Sequence, residues 1–346
     1  MMHAGLDLSR KRLDVELMDD QGTRLGHLGV MPDRDGLRSL ARQVGRIGQP
    51  VRAAIESMNG ARFIHDQLEL AGWEVAIADA VKVKGLAPLA CKTDRIDAWV
   101  LAELSRRDLV PEIWLPEPAI RAERERARWR LHLVHHRTAL KNRIHQTLIS
   151  FGHACPVADL FGTQGRALLD HLELPEPWRG TVTASLRLID DLDRQIDQCA
   201  QDLRDLGADH PYVPLLVTAP GISWVLAYTI ASEIGDIARF ASPTKLVAYT
   251  GLCPIVRQSG GRDQRGPLAK NGPKYLRWAL IETALVAARL PHYHDRYQRL
   301  KRRLGPQRGG KVALVDLARR QAEAIWYMLR RNQPFAPGGA KCVLAA

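Results

Sequence analysis

Ala90-Cys91-Lys92-Thr93-Asp94-Arg95-Ile96-Asp97-Ala98-Trp99-Val100-Leu101-Ala102-Glu103-Leu104 is the stretch on which the fold turns. It reads as a helix start, with Thr93 as N-cap and good helix formers after it. Asp94 and Asp97 are three residues apart and share a face. Helical spacing places Ile96, Val100, Leu101 and Leu104 on that face too, with Ala98 and Ala102 elsewhere. Two carboxylates therefore point toward the apolar side of their own helix, which is costly unless cations or hydrogen bonds compensate. In the simpler reading, Asp94 is a first-turn acid favoured by the helix dipole and Asp97 sits at the rim. In the other, the pair is half of a site.

Outward from this helix, residues 3–8 and 13–18 alternate with period two about a polar turn at Ser9–Arg12, and 24–30 can form a third strand. A helix around 34–47, a strand at Val51–Glu56, a helix near 61–71 and a strand at Trp73–Ala78 precede the Asp94 helix. The order β-β-β-α-β-α-β-α over 1–115 is that of an RNase H-like, or RuvC-like, α/β domain. In such a sheet the first and fourth strands lie side by side. Asp7 on the first, Glu56 at the end of the fourth, and Asp94 and Asp97 on the following helix would converge. Four hard oxygen donors suit Mg²⁺, with Mn²⁺ as a substitute, and ions so held can stabilise the oxygens of a phosphodiester. Asp79, at the end of the fifth strand, is a weaker further candidate.

Prolines 111, 116 and 118 mark a boundary. Over 116–208 two long helical patterns, 119–150 and 181–206, flank a segment broken by Gly and Pro, predicting a coiled-coil helical hairpin. A mainly helical domain is expected over 209–335, with a disordered tail at 336–346. Its Pro220-Gly221-Ile222 turn between helices resembles a helix-hairpin-helix element that presents N–H groups to phosphate, although a plain structural turn reads nearly as well. A helix at 275–290, a basic run at 296–303 and a helix at 311–331 follow. His132, His135 and His136 read as helix-surface residues; His292 and His294 read as loop residues.

Charge is unevenly distributed. The net charge is +12, yet residues 1–115 hold 16 Lys and Arg against 17 Asp and Glu, and the remainder holds 34 against 21. Residues 239–311 carry 16 basic residues and only Asp263, Glu282 and Asp295 as acids, which points to a polyanionic partner. In that span Arg257-Gln258-Ser259-Gly260-Gly261-Arg262-Asp263-Gln264-Arg265-Gly266 reads as a flexible loop, followed by Lys270, Lys274 and Arg277. A serine among glycines and cations can approach a phosphate closely, either as a hydrogen-bonding contact or as a nucleophile. Lys92 and Arg95 are further candidate nucleic-acid contacts. Five scattered cysteines, no apolar run long enough to span a bilayer and no signal-peptide core predict a reduced, cytoplasmic protein with no membrane partner.

With these residues in place, the chain resembles the DEDD transposases of the one-hundred-and-ten insertion-sequence family, relatives of the Piv-type DNA invertases. Gly5-Leu6-Asp7-Leu8-Ser9, Ile55-Glu56-Ser57, Lys92-Thr93-Asp94-Arg95-Ile96-Asp97-Ala98 and Ser259-Gly260-Gly261 carry the likeness, with Tyr249-Thr250-Gly251-Leu252, Lys270-Asn271-Gly272 and Leu276-Arg277. Ser57-Met58-Asn59-Gly60 departs from the family's usual Thr/Ser-Gly after the Glu. The resemblance implies a metal-binding acid tetrad at Asp7, Glu56, Asp94 and Asp97 and a serine, Ser259, that links covalently to cleaved DNA. It also implies a composite site between subunits of a homodimer or homotetramer, and a structured bridge RNA that pairs with donor and target double-stranded DNA at the nucleoid. Two alternatives remain open: a junction endonuclease using metal-activated water, and a non-catalytic nucleic-acid-binding scaffold.

Overall fold

The computed structural model describes residues 1–86 and 94–336, with Asp94 and Arg95 described by backbone alone. Lys92, Thr93 and the tail from 337 onward lie outside the described residues. The chain divides into two compact units, Met1–Pro116 and the part from Glu117 on. Among the described residues no helix is long and apolar enough to cross a membrane.

In the first unit β1 (Met2–Leu8), β2 (Leu13–Asp19) and β3 (Arg24–Val30) form an antiparallel meander. After α1 (Arg34–Gly45) come β4 (Val51–Glu56), α2 (Ala61–Glu69), β5 (Glu74–Ala78), α3 (Ala80–Leu86) and α4 (Asp94–Arg106). The sheet order is β3-β2-β1-β4-β5, with β1, β4 and β5 parallel, as in an RNase H-like fold. Period-two alternation gives β1 two faces. Met2, Ala4, Leu6 and Leu8 enter a core with Leu37, Leu40, Ile64 and Leu68 from α1 and α2. His3, Gly5 and Asp7 face α4.

That second face corrects one sequence expectation. Ala98 and Ala102, assigned away from the buried face of α4, are both fully buried on it. A Cβ at Gly5 would lie 1.7 Å from the Ala98 carbonyl oxygen and 2.5 Å from the Ala102 nitrogen. The helix backbone thus rests directly on the strand, and only small residues fit there. Leu101, Val100 and Leu104 pack beside this contact with Ala54 and Ala78, while Ile96 is only partly buried. The apolar pattern misled because the closest contact uses the smallest side chains. The Asp79 carboxylate accepts from the Val81 and Lys82 N–H groups at 3.0 and 3.3 Å, capping α3.

In the second unit α5 (Pro118–Ser150), α6 (Thr163–His171) and α7 (Trp178–Ala208) precede the short α8 (Val213–Leu216) and α9 (Trp224–Ile234). Helices α5 and α7 run antiparallel: Ala127 shares a core with Leu203, Arg137 meets Asp193 at 2.5 Å, and Leu148 shares a cluster with Val182. The α5 end of this pair is locked to α9. Arg128 donates Nε and Nη2 to both oxygens of the fully buried Glu233 at 2.7 and 3.0 Å, and Arg124 donates to the Ser232 and Glu233 carbonyls at 2.8 and 2.6 Å. The Pro220–Ile222 turn serves packing: a Cβ at Gly221 would lie 2.5 Å from the Thr283 carbonyl, and Gln321 Nε2 donates to the Pro220 oxygen at 2.9 Å.

Next come α10 (Pro243–Tyr249), β6 (Pro254–Ser259), β7 (Arg262–Leu268), α11 (Lys274–Ala287), α12 (Pro291–Leu304) and α13 (Gly309–Arg331). The expected flexible loop is an antiparallel hairpin, β6 with β7. Gly260 and Gly261 connect them at φ +55° and +78°, the positive values that a tight two-residue hairpin turn requires. The hairpin escaped the sequence reading because both of its faces are exposed, so no apolar alternation marks it. His292 and His294, read as loop residues, lie within α12.

Gly5→Ala should destabilise the protein by about 3 kcal/mol, because backbone rather than a flexible side chain must move. Thermal unfolding of the variant beside the parent protein checks this; an unchanged transition would mean α4 does not rest on β1 in this way.

Candidate active site

The placement of the acids follows from strand register and the direction of α4. Strands β1 and β4 are parallel, with Gly5 opposite Ala54 and Leu6 opposite Ile55. Asp7 and Glu56 follow these pairs at neighbouring strand ends. Helix α4 runs against the strands. Near its C-terminus Ser105 Oγ stands 3.2 Å from His3 Nδ1 and donates to the Arg52 carbonyl at 3.3 Å, while Ala98 sits over Gly5. The N-terminal turn that carries Asp94 and Asp97 therefore lies toward the strand ends that carry Asp7 and Glu56. Asp7, Glu56 and Asp97 are each half-buried, and Glu56 has no hydrogen-bond or ion-pair partner among the described residues. Among the described residues no three His, Cys, Asp or Glu side chains are gathered into a metal cage. The donor chemistry of the set, carboxylates alone, suits a hard divalent cation.

The far end of α4 is fixed electrostatically. Glu103 accepts from Arg106 at 2.7 and 2.8 Å and from Arg107 at 2.6 Å. These bonds, that of Arg106 foremost, hold the Glu103 carboxyl down at about 2. Arg106 also donates to the Asp20 carbonyl at 3.3 Å, tying the helix to the β2–β3 turn.

Sequence reasoning missed a second set of charges on the α4 face of the sheet. Asp14 is paired in register with Asp7, and Glu16 with Gly5. Both are buried, and each meets one arginine and the His27 ring. Arg12 Nε donates to Asp14 at 2.9 Å, Arg24 lies 2.6 Å from Glu16, and the His27 ring stands between the two acids at 3.3 Å from each. The signal was available in the alternation of Leu13-Asp14-Val15-Glu16-Leu17, which puts both acids on the side of the sheet that carries Asp7.

Ser259, in the second unit, ends β6 and is exposed; its Oγ has no hydrogen-bond partner among the described residues. Cross-strand pairs Ser259 with Arg262 and Arg257 with Gln264 put Arg257, Ser259 and Arg262 on one face of the ribbon. Arg265 lies on the other face and stands 3.4 Å from Asp263. Lys270 takes φ +54° at the base of the hairpin, and the Lys274 ammonium lies over the Tyr275 ring. Arg277 holds that base instead: its Nη1 donates to the Thr250 and Gly272 carbonyls at 3.2 and 3.3 Å.

Comparison with known proteins relates both units to transposases. A transposase family model of the DEDD type defined on IS110 matches residues 4–152, and a model described as transposase IS116/IS110/IS902 family matches residues 213–298. Both models describe transposases, and by these matches the chain is a DNA transposase similar to the IS110 family. It is 26% identical over 341 residues to a protein named probable family 20 transposase from Pseudomonas aeruginosa, spanning 96% of this chain and 98% of the relative. It is also 26% identical over 293 residues to the transposase for insertion sequence element IS1328 of Yersinia enterocolitica, spanning 83% of this chain and 86% of the relative. The first match covers the transposase's acid-bearing unit and α5, and the second covers the Ser259 hairpin.

The depressed Glu103 carboxyl gives a pH test. Its contribution to stability is fully present above the ordinary glutamate value of 4.5 and is lost as pH falls through about 2. Glu103→Gln should therefore lower the melting temperature at neutral pH, and the gap should close between pH 4.5 and 2. A gap independent of pH would mean the carboxylate charge plays no part.

Proposed function

We propose that this transposase cuts and rejoins DNA with a divalent metal held by Asp7, Glu56, Asp94 and Asp97 and with Ser259 as nucleophile. The observation that carries the metal half is the register of β1 and β4 beneath an antiparallel α4, which directs acids from three elements to one end of the sheet. Mg²⁺, or Mn²⁺ in its place, would supply charge neutralisation at the phosphate under attack. The carboxylates orient it and keep its net charge low.

On the second unit Arg257 and Arg262 flank Ser259 and would draw a phosphodiester to the ribbon face. Attack by the Ser259 Oγ forms an O–P bond and breaks a phosphodiester P–O bond. The serine proton passes to solvent, and the released deoxyribose oxygen takes one up. Rejoining reverses these exchanges on a new strand end. Lys92, Arg95, Arg265, Lys270 and Lys274 add phosphate contacts. We take 1–115 as the metal domain, 116–208 as a coiled-coil arm joining subunits of a dimer or tetramer, and 209–335 as the serine domain. Resemblance to the family supports a structured bridge RNA as the guide that selects donor and target DNA.

A second reading has one specific observation in its favour: among the described residues no general base contacts Ser259. In that reading metal-activated water cleaves a junction with no covalent intermediate.

Asp97→Asn should reduce recombination between donor and target DNA by roughly 100-fold or more, and Ser259→Ala should do the same while also abolishing a protein–DNA adduct on denaturing gels. Adduct-free cleavage by the parent protein, with full activity in Ser259→Ala, would establish the water-based reading. Full activity in Asp97→Asn would remove the acid site itself.

A further inference from the structure

The β1–β2 turn, Ser9-Arg10-Lys11-Arg12, lies directly beyond Asp7 and has no role in the chemistry described above. All four residues are exposed. Three successive cations at the end of the strand that carries Asp7 stand out in a region whose basic and acidic residues otherwise nearly balance. The turn is closely made: Ser9 N–H donates to the Arg12 carbonyl at 2.8 Å, Ser9 Oγ donates to the same oxygen at 2.8 Å, and Arg12 N–H donates to Ser9 Oγ at 3.1 Å. Arg10 and Lys11 are thereby held at its tip.

Arg12 is the ordered member. It immediately precedes β2, and its contacts with Asp14 and Gly29 put its side chain on the sheet face of Asp14 and its partner Asp7. Its Nε donates to Asp14 at 2.9 Å. Its guanidinium crosses Gly29 on β3, where a Cβ would stand 2.3 Å from Nη2 and 2.5 Å from Cζ. Glycine at 29 is what leaves room for the guanidinium in this pose. With Nε engaged, neither Nη group has an acceptor among the described residues, and the side chain remains 57% exposed. A guanidinium anchored through Nε, with its Nη groups presented, has the form of a phosphate clamp, since the fork is oriented before the ligand arrives.

We propose that the Arg10-Lys11-Arg12 turn grips the DNA backbone beside the acid site, with Arg12 as a positioning residue fixed by Asp14 and Gly29. The partner chemistry is the phosphate diester of duplex DNA flanking the reacting bond. This rests on the acid site acting on DNA, as proposed above. A carboxylate cluster repels a polyanion, so cations one turn beyond it hold the strand that the acids alone would push away.

The test is binding of a labelled DNA duplex to the full-length protein as a function of NaCl concentration. Each lost phosphate contact lowers the slope of log affinity against log salt by about 0.9. Arg10→Ala with Lys11→Ala should flatten the slope by about 1.8. Gly29→Ala, which leaves every cation in place and displaces only the flexible end of Arg12, should flatten it by about 0.9. Arg42→Ala with Arg46→Ala, on the opposite side of the sheet at the end of α1, should leave it unchanged. Melting temperatures close to that of the parent protein establish that the variants are folded. Slopes equal to the parent's in both the Arg10→Ala, Lys11→Ala variant and Gly29→Ala, or flattening seen with an RNA duplex and absent with DNA, would overturn the proposal. Neither outcome touches the acid site, whose failure would show instead as undiminished recombination in Asp97→Asn.

Discussion

Everything in the first unit depends on how closely α4 approaches β1. The missing side chain of Gly5 lets the backbone at Ala98 and Ala102 settle onto the strand, closer than any residue with a Cβ would allow. That contact fixes the height and direction of the helix. Ser105 secures one end on His3 and Arg52, and Glu103 with Arg106 secures it to the β2–β3 turn. The other end, carrying Asp94 and Asp97, is left over the ends of β1 and β4. The acids are thus continuous with the helix face that builds the core, which accounts for carboxylates in an apolar-facing pattern.

The sheet face beneath α4 is unusually charged for an interior, with each buried acid set beside an arginine. Arg12, Asp14, His27, Glu16 and Arg24 run across β2 and β3 in an unbroken chain of close contacts. Burying Asp14 and Glu16 without these partners would be strongly unfavourable. Asp7 lies beside these acids on the same face, at the strand end where the proposed metal site is built. In the second unit the same economy appears once, at Glu233, where two arginines of α5 tie the long helical pair to the core beneath the serine hairpin.

Much of this was legible in the residues. Alternation in β1 and β2, with strands and helices following in turn, pointed to the strand order and so brought Asp7 beside Glu56. What escaped follows a pattern. Ala98 and Ala102 were misplaced because hydrophobic periodicity weighs large side chains, whereas close helix–strand contact selects small ones. The Ser259 hairpin was read as a loop because strands exposed on both faces carry no period-two apolar signal. Its two glycines were read as flexibility, although consecutive positive φ values there specify one tight turn. Asp79 was weighed as a site acid because capping depends on a helix, α3, too short to stand out in the sequence. Asp14 and Glu16 passed unnoticed because two acids in an amphipathic strand look solvated until a helix covers them.

The central claim is that Asp7 on β1 and Asp97 on α4 serve one metal ion. Manganese binding to the full-length protein, followed by electron paramagnetic resonance, tests it without requiring recombination. The account predicts that Asp7→Asn and Asp97→Asn each remove the same tightest Mn²⁺ site, and that combining them removes nothing further. Undiminished tight binding in both single variants, or the loss of separate sites that add in the double variant, would contradict it.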